Sequence, residues 1–340
     1  MFLELFDFRS FLLFALIFFP IEYLLPIHEG RKLARNGWLT DVLHFFLSGI
    51  FIRVGLIAVI VVSVQVGTIA VPAGLRATIG ALPVVVQVVV ATVIADLGFY
   101  LAHRVMHAVP WLWNFHAVHH SSEQLDWLAA YRVHPVDQVL VKGASLVPMF
   151  VLGFSDVSIG IAAVIYQWQA LISHSNVRVG LGPLKWLIAT PEFHHWHHAN
   201  QTEAHDKNFA GQLPLWDVLF GTAHMPGRMP TKYGVDEAMP HQYLQQLTYP
   251  FAMLTKAVSP TPRADEAVGV TMVAETEAEA SSHRPPVTPP RLTRVAIRGS
   301  FDAGVFDQEC CRHVCSLQRR HDRSRRSADR RSSGARGLLY

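Results

Sequence analysis

Thiols and charges are what this chain has least of. Its three cysteines, Cys310, Cys311 and Cys315, all lie toward the C-terminal end, so neither a disulfide framework nor a thiolate metal site organises the rest. The group "ECCRHVC" (309–315) itself has too few ligands at suitable spacing for a metal site. Only 16% of residues are charged against 51% hydrophobic, and the mean hydropathy is positive, which argues against an ordinary soluble domain. No GxGxxG follows a predicted strand, so no nicotinamide- or flavin-binding fold is visible. There is no HExxH, and carboxylates are sparse. Metal chemistry, if present, must rest on nitrogen and oxygen ligands.

The apolar residues fall in runs long enough for a bilayer, which takes roughly 20 residues of helix. Residues 10–27 form one, with a single acid, Glu22, and a kink expected at Pro20. No basic segment precedes it and no small-residue cleavage site follows it, so a retained helix is expected rather than a signal peptide. Residues 54–71 carry no charge, and residues 81–102 carry only Asp96. Residues 143–173 are split by "GFSD" and predict a helical hairpin. The expected fold is all-α: a multi-pass membrane helical bundle of about four or five membrane helices. Arg31, Lys32 and Arg35 follow the first run, whereas only Arg76 precedes residue 81, which places residues 28–41 on the cytoplasmic side.

Twelve of the nineteen histidines lie between His103 and His205. Under that topology every group reaches the cytoplasmic membrane face, although the topology was assigned from Lys and Arg alone. In "HRVMH", His103 and His107 are four apart, which on a helix puts both rings on one face with about 5–6 Å between Cβ atoms. In "HAVHH", His116 shares a face with His119 and His120. "HHWHH" repeats the spacing as His194, His197 and His198, with His195 one position over. Imidazole nitrogen suits zinc, iron, copper or nickel. Eight histidines in three motifs exceed what one ion accepts, so two metals are the economical reading. His205 reads as a surface residue.

The stretches "DLGFYLAHRVMH" (96–107), "LWNFHAVHHSSEQLD" (112–126), "YRVHP" (131–135), "ISHSN" (172–176), "TPEFHHWHHA" (190–199) and "NFAGQLPLWDVLFGT" (208–222) resemble the fatty acid hydroxylase / sterol desaturase superfamily of integral-membrane non-haem di-iron oxygenases. The resemblance covers roughly residues 85–225. It implies a cytoplasmic helical cap carrying a histidine-rich dimetal site. It also implies two iron ions held by His103, His107, His116, His119, His120, His194, His197 and His198, with His134 and His174 as further ligands. Zinc is the expected substitute for iron in a purified sample. Whether His194 or His195 faces the metal is left open by the sequence.

The chemistry expected of such a site is O2-dependent hydroxylation or desaturation of a lipid, a sterol, fatty acyl chain or related molecule lying in the bilayer. A zinc-dependent membrane hydrolase is the alternative. No haem-binding "HPGG" is present, so a separate electron donor is implied: a ferredoxin, cytochrome or reductase. Asp96, seven residues before His103 and on the same helix face, is a candidate to orient a histidine, to pair with Arg104 or Arg132, or to line a substrate cavity. Trp111, Trp113, Trp127 and Trp196 suggest an interfacial aromatic belt.

Three regions are therefore expected: N-terminal membrane helices at 1–75, a catalytic domain at 76–260, and a tail at 261–340. The tail is rich in Pro, Ser, Thr, Ala and Glu and then in Arg, and such composition cannot bury a core. It is read as a solvated segment, and no nucleic-acid partner is expected.

Overall fold

The structure is a computed structural model that describes residues 7–32 and 34–258; the tail expected from residue 261 lies outside them. The described residues are helical, with isolated β-bridges at Pro26–Val177 and Ala199–Tyr233 and no longer strand. In chain order the helices are α1 (Phe8–Leu24), α2 (Trp38–Leu43), α3 (Gly49–Ala70), α4 (Ala73–Gly80), α5 (Val84–Ala108), α6 (Pro110–His120), α7 (Pro135–Leu152), α8 (Asp156–His174), α9 (Pro191–His197), α10 (Leu215–Phe220) and α11 (Tyr243–Val258). A π-helical turn, His44–Ser48, joins α2 to α3 without a break.

Among the described residues, three helical stretches are long and apolar enough to cross a membrane: Trp38–Ala70, Val84–Ala108 and Pro135–Leu152. They pack on one another, α3 and α5 both lying against α7. Close approach is possible because glycine occupies the crossing: a Cβ on Gly98 of α5 would sit 2.5 Å from the Ala144 carbonyl oxygen of α7. α8 packs beside α5 and returns toward α9, completing the expected α7–α8 hairpin. Its turn is built on Gly153 at φ 81°, a left-handed conformation that favours glycine. Gln87 of α5 secures the turn by accepting from the Ser155 N–H at 2.8 Å and the Ser158 hydroxyl at 3.1 Å. α1 spans only 17 residues and packs its Phe14 and Phe18 against Trp127 and Leu171.

Proline and capping residues fix where the shorter helices start. Pro110, Pro135 and Pro191 each occupy the first turn, where a missing N–H costs nothing. Thr190 caps α9 by accepting from the Phe193 N–H. α6 and α9 are thereby aimed at the end of α5 that carries His103 and His107. Two expected belt residues, Trp127 and Trp196, are instead fully buried. Trp127 fills the core beneath α1, and the indole N–H of Trp196 donates to the Arg228 carbonyl at 2.6 Å, so neither is available to a membrane interface.

Candidate dimetal centre

Nine histidines converge between α5, α6, α8 and α9 in two groups. His103, His107, His116, His120 and His197 form one; His119, His174, His194 and His198 form the other. Within each group the ligand nitrogens all lie within 4.8 Å of one another. Both HxxHH motifs straddle the groups. His116 and His120 face one and His119 the other, while His197 faces the first and His194 and His198 the second. The rings of His120 and His198 stack across the divide at 4.4 Å.

The outer nitrogens show what the inner ones must be. Nδ1 of His103 donates to the Phe209 carbonyl at 2.7 Å, that of His119 to Arg132 at 3.1 Å, that of His174 to Ala170 at 2.8 Å, and that of His197 to Lys207 at 2.8 Å. Nδ1 of His116 donates to the Asp137 carboxylate at 3.0 Å. A neutral imidazole carries one proton, so in these five rings Nε2 presents a lone pair inward. Yet Nε2 of His103 faces Nε2 of His116 at 2.9 Å, and that of His119 faces that of His174 at 3.2 Å. Two lone pairs at that distance repel unless a cation lies between or beside them. Two nitrogens bound to one ion at about 2.1 Å with a right angle at the metal would stand roughly 3 Å apart. His174–His194 at 2.9 Å and His194–His198 at 3.1 Å have the same spacing. Nε2 of His107 and of His197 are buried with no hydrogen-bond partner. The donor set fits two metal ions.

Burial keeps the rings neutral. Desolvation, reinforced by mutual repulsion among the rings, holds His119, His120, His194 and His198 well below the ordinary imidazole range. Desolvation also takes His197 down to about 3. Neutral imidazole is the form a metal requires.

Four residues singled out in the sequence stand elsewhere. His134 belongs to neither group: it caps α7, Nδ1 accepting from the Val136 N–H at 3.1 Å and Nε2 donating to the Leu247 carbonyl at 3.1 Å. Asp96 touches no histidine and neither arginine; its carboxylate accepts the N–H groups of Gly211, Gln212 and Leu213 at 3.1, 2.8 and 2.8 Å. The Arg104 side chain donates to the Tyr100 hydroxyl at 3.3 Å. The Arg132 guanidinium pairs with buried Asp41, which also binds Arg35, and it is the Arg132 backbone carbonyl that receives His119. Between His194 and His195 the geometry chooses His194. His195 points the other way, with Nδ1 against the Tyr233 hydroxyl at 2.9 Å and Nε2 against the carbonyls of His174 and Ser175. His205 is exposed at the rim of the site.

Asp137 and the 206–209 loop were not anticipated. Asp206 and Asn208 adopt left-handed backbone at φ 57° and 58°, unusual without glycine. The side chain of Asn208 pins this loop by donating to the carbonyls of Phe193 and His224, both at 2.8 Å. Its neighbours Lys207 and Phe209 can then offer their carbonyls to His197 and His103.

Cavities adjoin the centre. A polar cleft of about 310 Å³ is lined by His107, Trp113, His120, His197, Asp206 and Glu237. A separate chamber of about 60 Å³, sharing no lining residue with the cleft, touches His103, His116, His119, His174 and His194. Lys142, Tyr166 and Gln167 line both that chamber and an apolar pocket of about 110 Å³ between α3, α5, α7 and α8.

Residues 88–222 match the family model of fatty acid hydroxylase. The chain carries a fatty acid hydroxylase domain. Its helices and loops supply all nine clustered histidines, whereas α1 to α4 precede it. This domain is similar to that of the ornithine lipid hydroxylase OlsE of Rhizobium tropici, 36% identical over 50% of this chain and 52% of that protein. The alkylglycerol monooxygenase of Homo sapiens is 35% identical over 37% of this chain and 28% of its own. The very-long-chain aldehyde decarbonylase GL1-1 of Oryza sativa subsp. japonica is 30% identical over 48% and 29%. The chain thus spans about half the length of the first of these and under a third of the other two. No solved structure matches it. The zinc hydrolase alternative finds no support in a hydroxylase domain whose metal groups are made of histidine alone.

Proposed function

We propose that this chain is a membrane-bound, O2-dependent lipid oxygenase working through two iron ions. The observation that carries the reading is that, within each of the two histidine groups, unprotonated nitrogens face one another, at 2.9 Å in one and 3.2 Å in the other. His103, His107, His116, His120 and His197 would hold one ion, and His119, His174, His194 and His198 the other. When bound, the irons supply the redox chemistry of O2 that breaks a strong C–H bond.

What the protein itself contributes is position and dryness. Asp137 and the carbonyls of Phe209, Arg132, Ala170 and Lys207 hold the rings so that Nε2 points inward, which fixes ring orientation and raises ligand basicity. An all-imidazole set adds no negative charge, so the centre depends on burial and on these outer hydrogen bonds. The apolar pocket between α3, α5, α7 and α8 would take a lipid chain and lead it past Lys142, Tyr166 and Gln167 to the small chamber. The polar cleft beside His107 and His120 shares no lining residue with that chamber, so electrons from a separate ferredoxin, cytochrome or reductase can arrive there without crossing the lipid path. The basic residues Arg31, Lys32 and Arg35 support a cytoplasmic orientation for this face. The names ornithine lipid hydroxylase and alkylglycerol monooxygenase favour hydroxylation over desaturation, on a lipid that keeps a polar head.

The test is metal analysis together with lipidomics of a host expressing the protein or its His119→Ala variant. The expected result is two irons per wild-type chain and a host lipid that gains one oxygen, or loses two hydrogens, only with active protein and O2. A single tightly held ion, or an unchanged product with His119→Ala, would overturn the assignment.

A further inference from the structure

Two short segments flanking α9, at 182–188 and 213–220, have inverted polarity. Between Phe209 and Thr222 the buried carboxylate and hydroxyl are bonded within the protein. Asp217 accepts the N–H groups of Phe209 and Ala210 at 2.8 Å and the Thr222 hydroxyl at 2.6 Å, and Asp96 accepts three consecutive N–H groups at 211–213. Outward, α10 shows Leu215, Val218, Leu219 and Phe220, with Leu219 63% exposed. The second segment, 182–188, shows Leu184, Trp186, Leu187 and Ile188, with Leu187 52% exposed, while its one cation, Lys185, is turned onto Glu192 at 3.1 Å. The two segments are tied together where the Ala189 N–H donates to the Gln212 carbonyl at 2.8 Å.

Their depth follows from α5. Asp96 lies seven residues before His103, hence roughly 10 Å further along the helix at 1.5 Å per residue. The backbone of 211–213 is bound at that level, and the Phe220 ring stacks on Tyr100 of the same helix at 5.1 Å. α5 is apolar enough to span, and its Val89, Val93 and Leu101 are themselves outward-facing. The exposed apolar face of α10 is thus continuous with a helix surface that meets acyl chains. Non-helical backbone at that depth has no water to bond and must be satisfied by the protein, and the Asp96 carboxylate supplies the acceptors.

We infer that residues 182–188 and 213–220 dip into the acyl region of the leaflet as a lip beside α5, without crossing it. The occupant of their apolar faces is bilayer lipid. Gly211 lines the histidine chamber and Gln212 the apolar pocket, so the lip stands where a lipid can pass sideways from leaflet to chamber. That entry role rests on the lipid-oxygenase reading; the insertion stands without it.

Insertion is read by nitroxide labels on the full chain in proteoliposomes of phosphatidylcholine and phosphatidylglycerol. With Cys310→Ser, Cys311→Ser and Cys315→Ser as background, single labels go at Leu187→Cys and Leu219→Cys, with Val89→Cys as the lipid-facing control and Glu203→Cys as the aqueous one. Both test positions are outward-facing, and each reports independently should the other variant misfold. The expected result is frequent collision with O2 and loss of collision with a water-soluble nickel chelate, matching Val89. Nickel collisions at the Glu203 level would overturn the lip. So would protection from both probes, which would mean a protein partner such as a second copy covers this face. Neither outcome requires catalytic turnover, so the lip and the oxygenase assignment can fail separately.

Discussion

Asp137, in the first turn of α7, accepts the hydrogen bond of the His116 Nδ1–H; it lies three residues beyond His134, whose two nitrogens are both spent on backbone groups. The pair makes a clean contrast. Asp137→Asn removes the charge that fixes the His116 tautomer, and metal affinity or activity should fall about 10- to 100-fold. His134→Ala should keep both metals and lose about 1 kcal/mol of stability, the worth of a helix cap. Metal content and thermal unfolding of the two purified variants decide; loss of a metal from His134→Ala would return that residue to the ligand set. The same logic separates His194→Ala, expected to weaken one ion, from His195→Ala, expected to keep both and to loosen the contact with Tyr233. The sequence could not make these distinctions. "HP" suits a cap as well as a ligand, and adjacent histidines on a helix point about 100° apart, which a spacing rule allows for either register. Nine of the ten proposed ligands nonetheless come together: the i, i+4 pairs 103/107, 116/120 and 194/198 each share a group, as one helix face requires, whereas the i+3 members His119 and His197 turn to the other group.

At the scale of elements, α5 does two jobs with one face: His103 and His107 at its end join the histidine cluster, and Asp96 two turns deeper holds the backbone of 211–213. The partner of Asp96 lies 115 to 117 residues away along the chain, so nothing near it in sequence could reveal the contact. An acid in a spanning segment signals a partner, and here the partner is backbone rather than a histidine or an arginine. Asp96→Asn keeps the shape but replaces an accepting oxygen by a donor. One of the three N–H groups is then left facing an amide, and a buried donor without an acceptor costs about 1–3 kcal/mol. Thermal unfolding in detergent should shift down accordingly, with faster amide exchange at 211–213 and no change in metal stoichiometry. An unshifted melting curve would show that the carboxylate is not what holds this loop. The helices themselves were more legible. The apolar runs and the "GFSD" break are local signals, and α5, α7 and α8 overlap the runs at 81–102 and 143–173, although α7 begins earlier, at Pro135. Trp127 and Trp196 misled because an aromatic near a membrane end is as able to fill a core as to line an interface.

For the molecule as a whole, the density of neutral imidazole sets how it responds to acid. His119, His120, His194 and His198 are held well below their ordinary range and His197 is held near 3, in each case chiefly by desolvation. In an unfolded chain the same rings titrate near 6.5. Between those limits the unfolded state binds protons that the folded state refuses, so stability is fully present above about pH 6.5 and is lost as pH falls toward the depressed values. Each such histidine contributes up to about 1.4 kcal/mol per pH unit across that window. Metal binding steepens the loss, since protons compete for the same nitrogens. Melting temperature in detergent should therefore be level on the alkaline side and drop steeply below neutrality, with metal released over the same interval. Replacing His119, His194 and His198 together by Asn should flatten the metal-free profile, because three of the titrating groups are gone. A metal-free wild-type protein whose melting temperature does not change between about pH 7 and pH 5 would mean that these rings are not held neutral by burial.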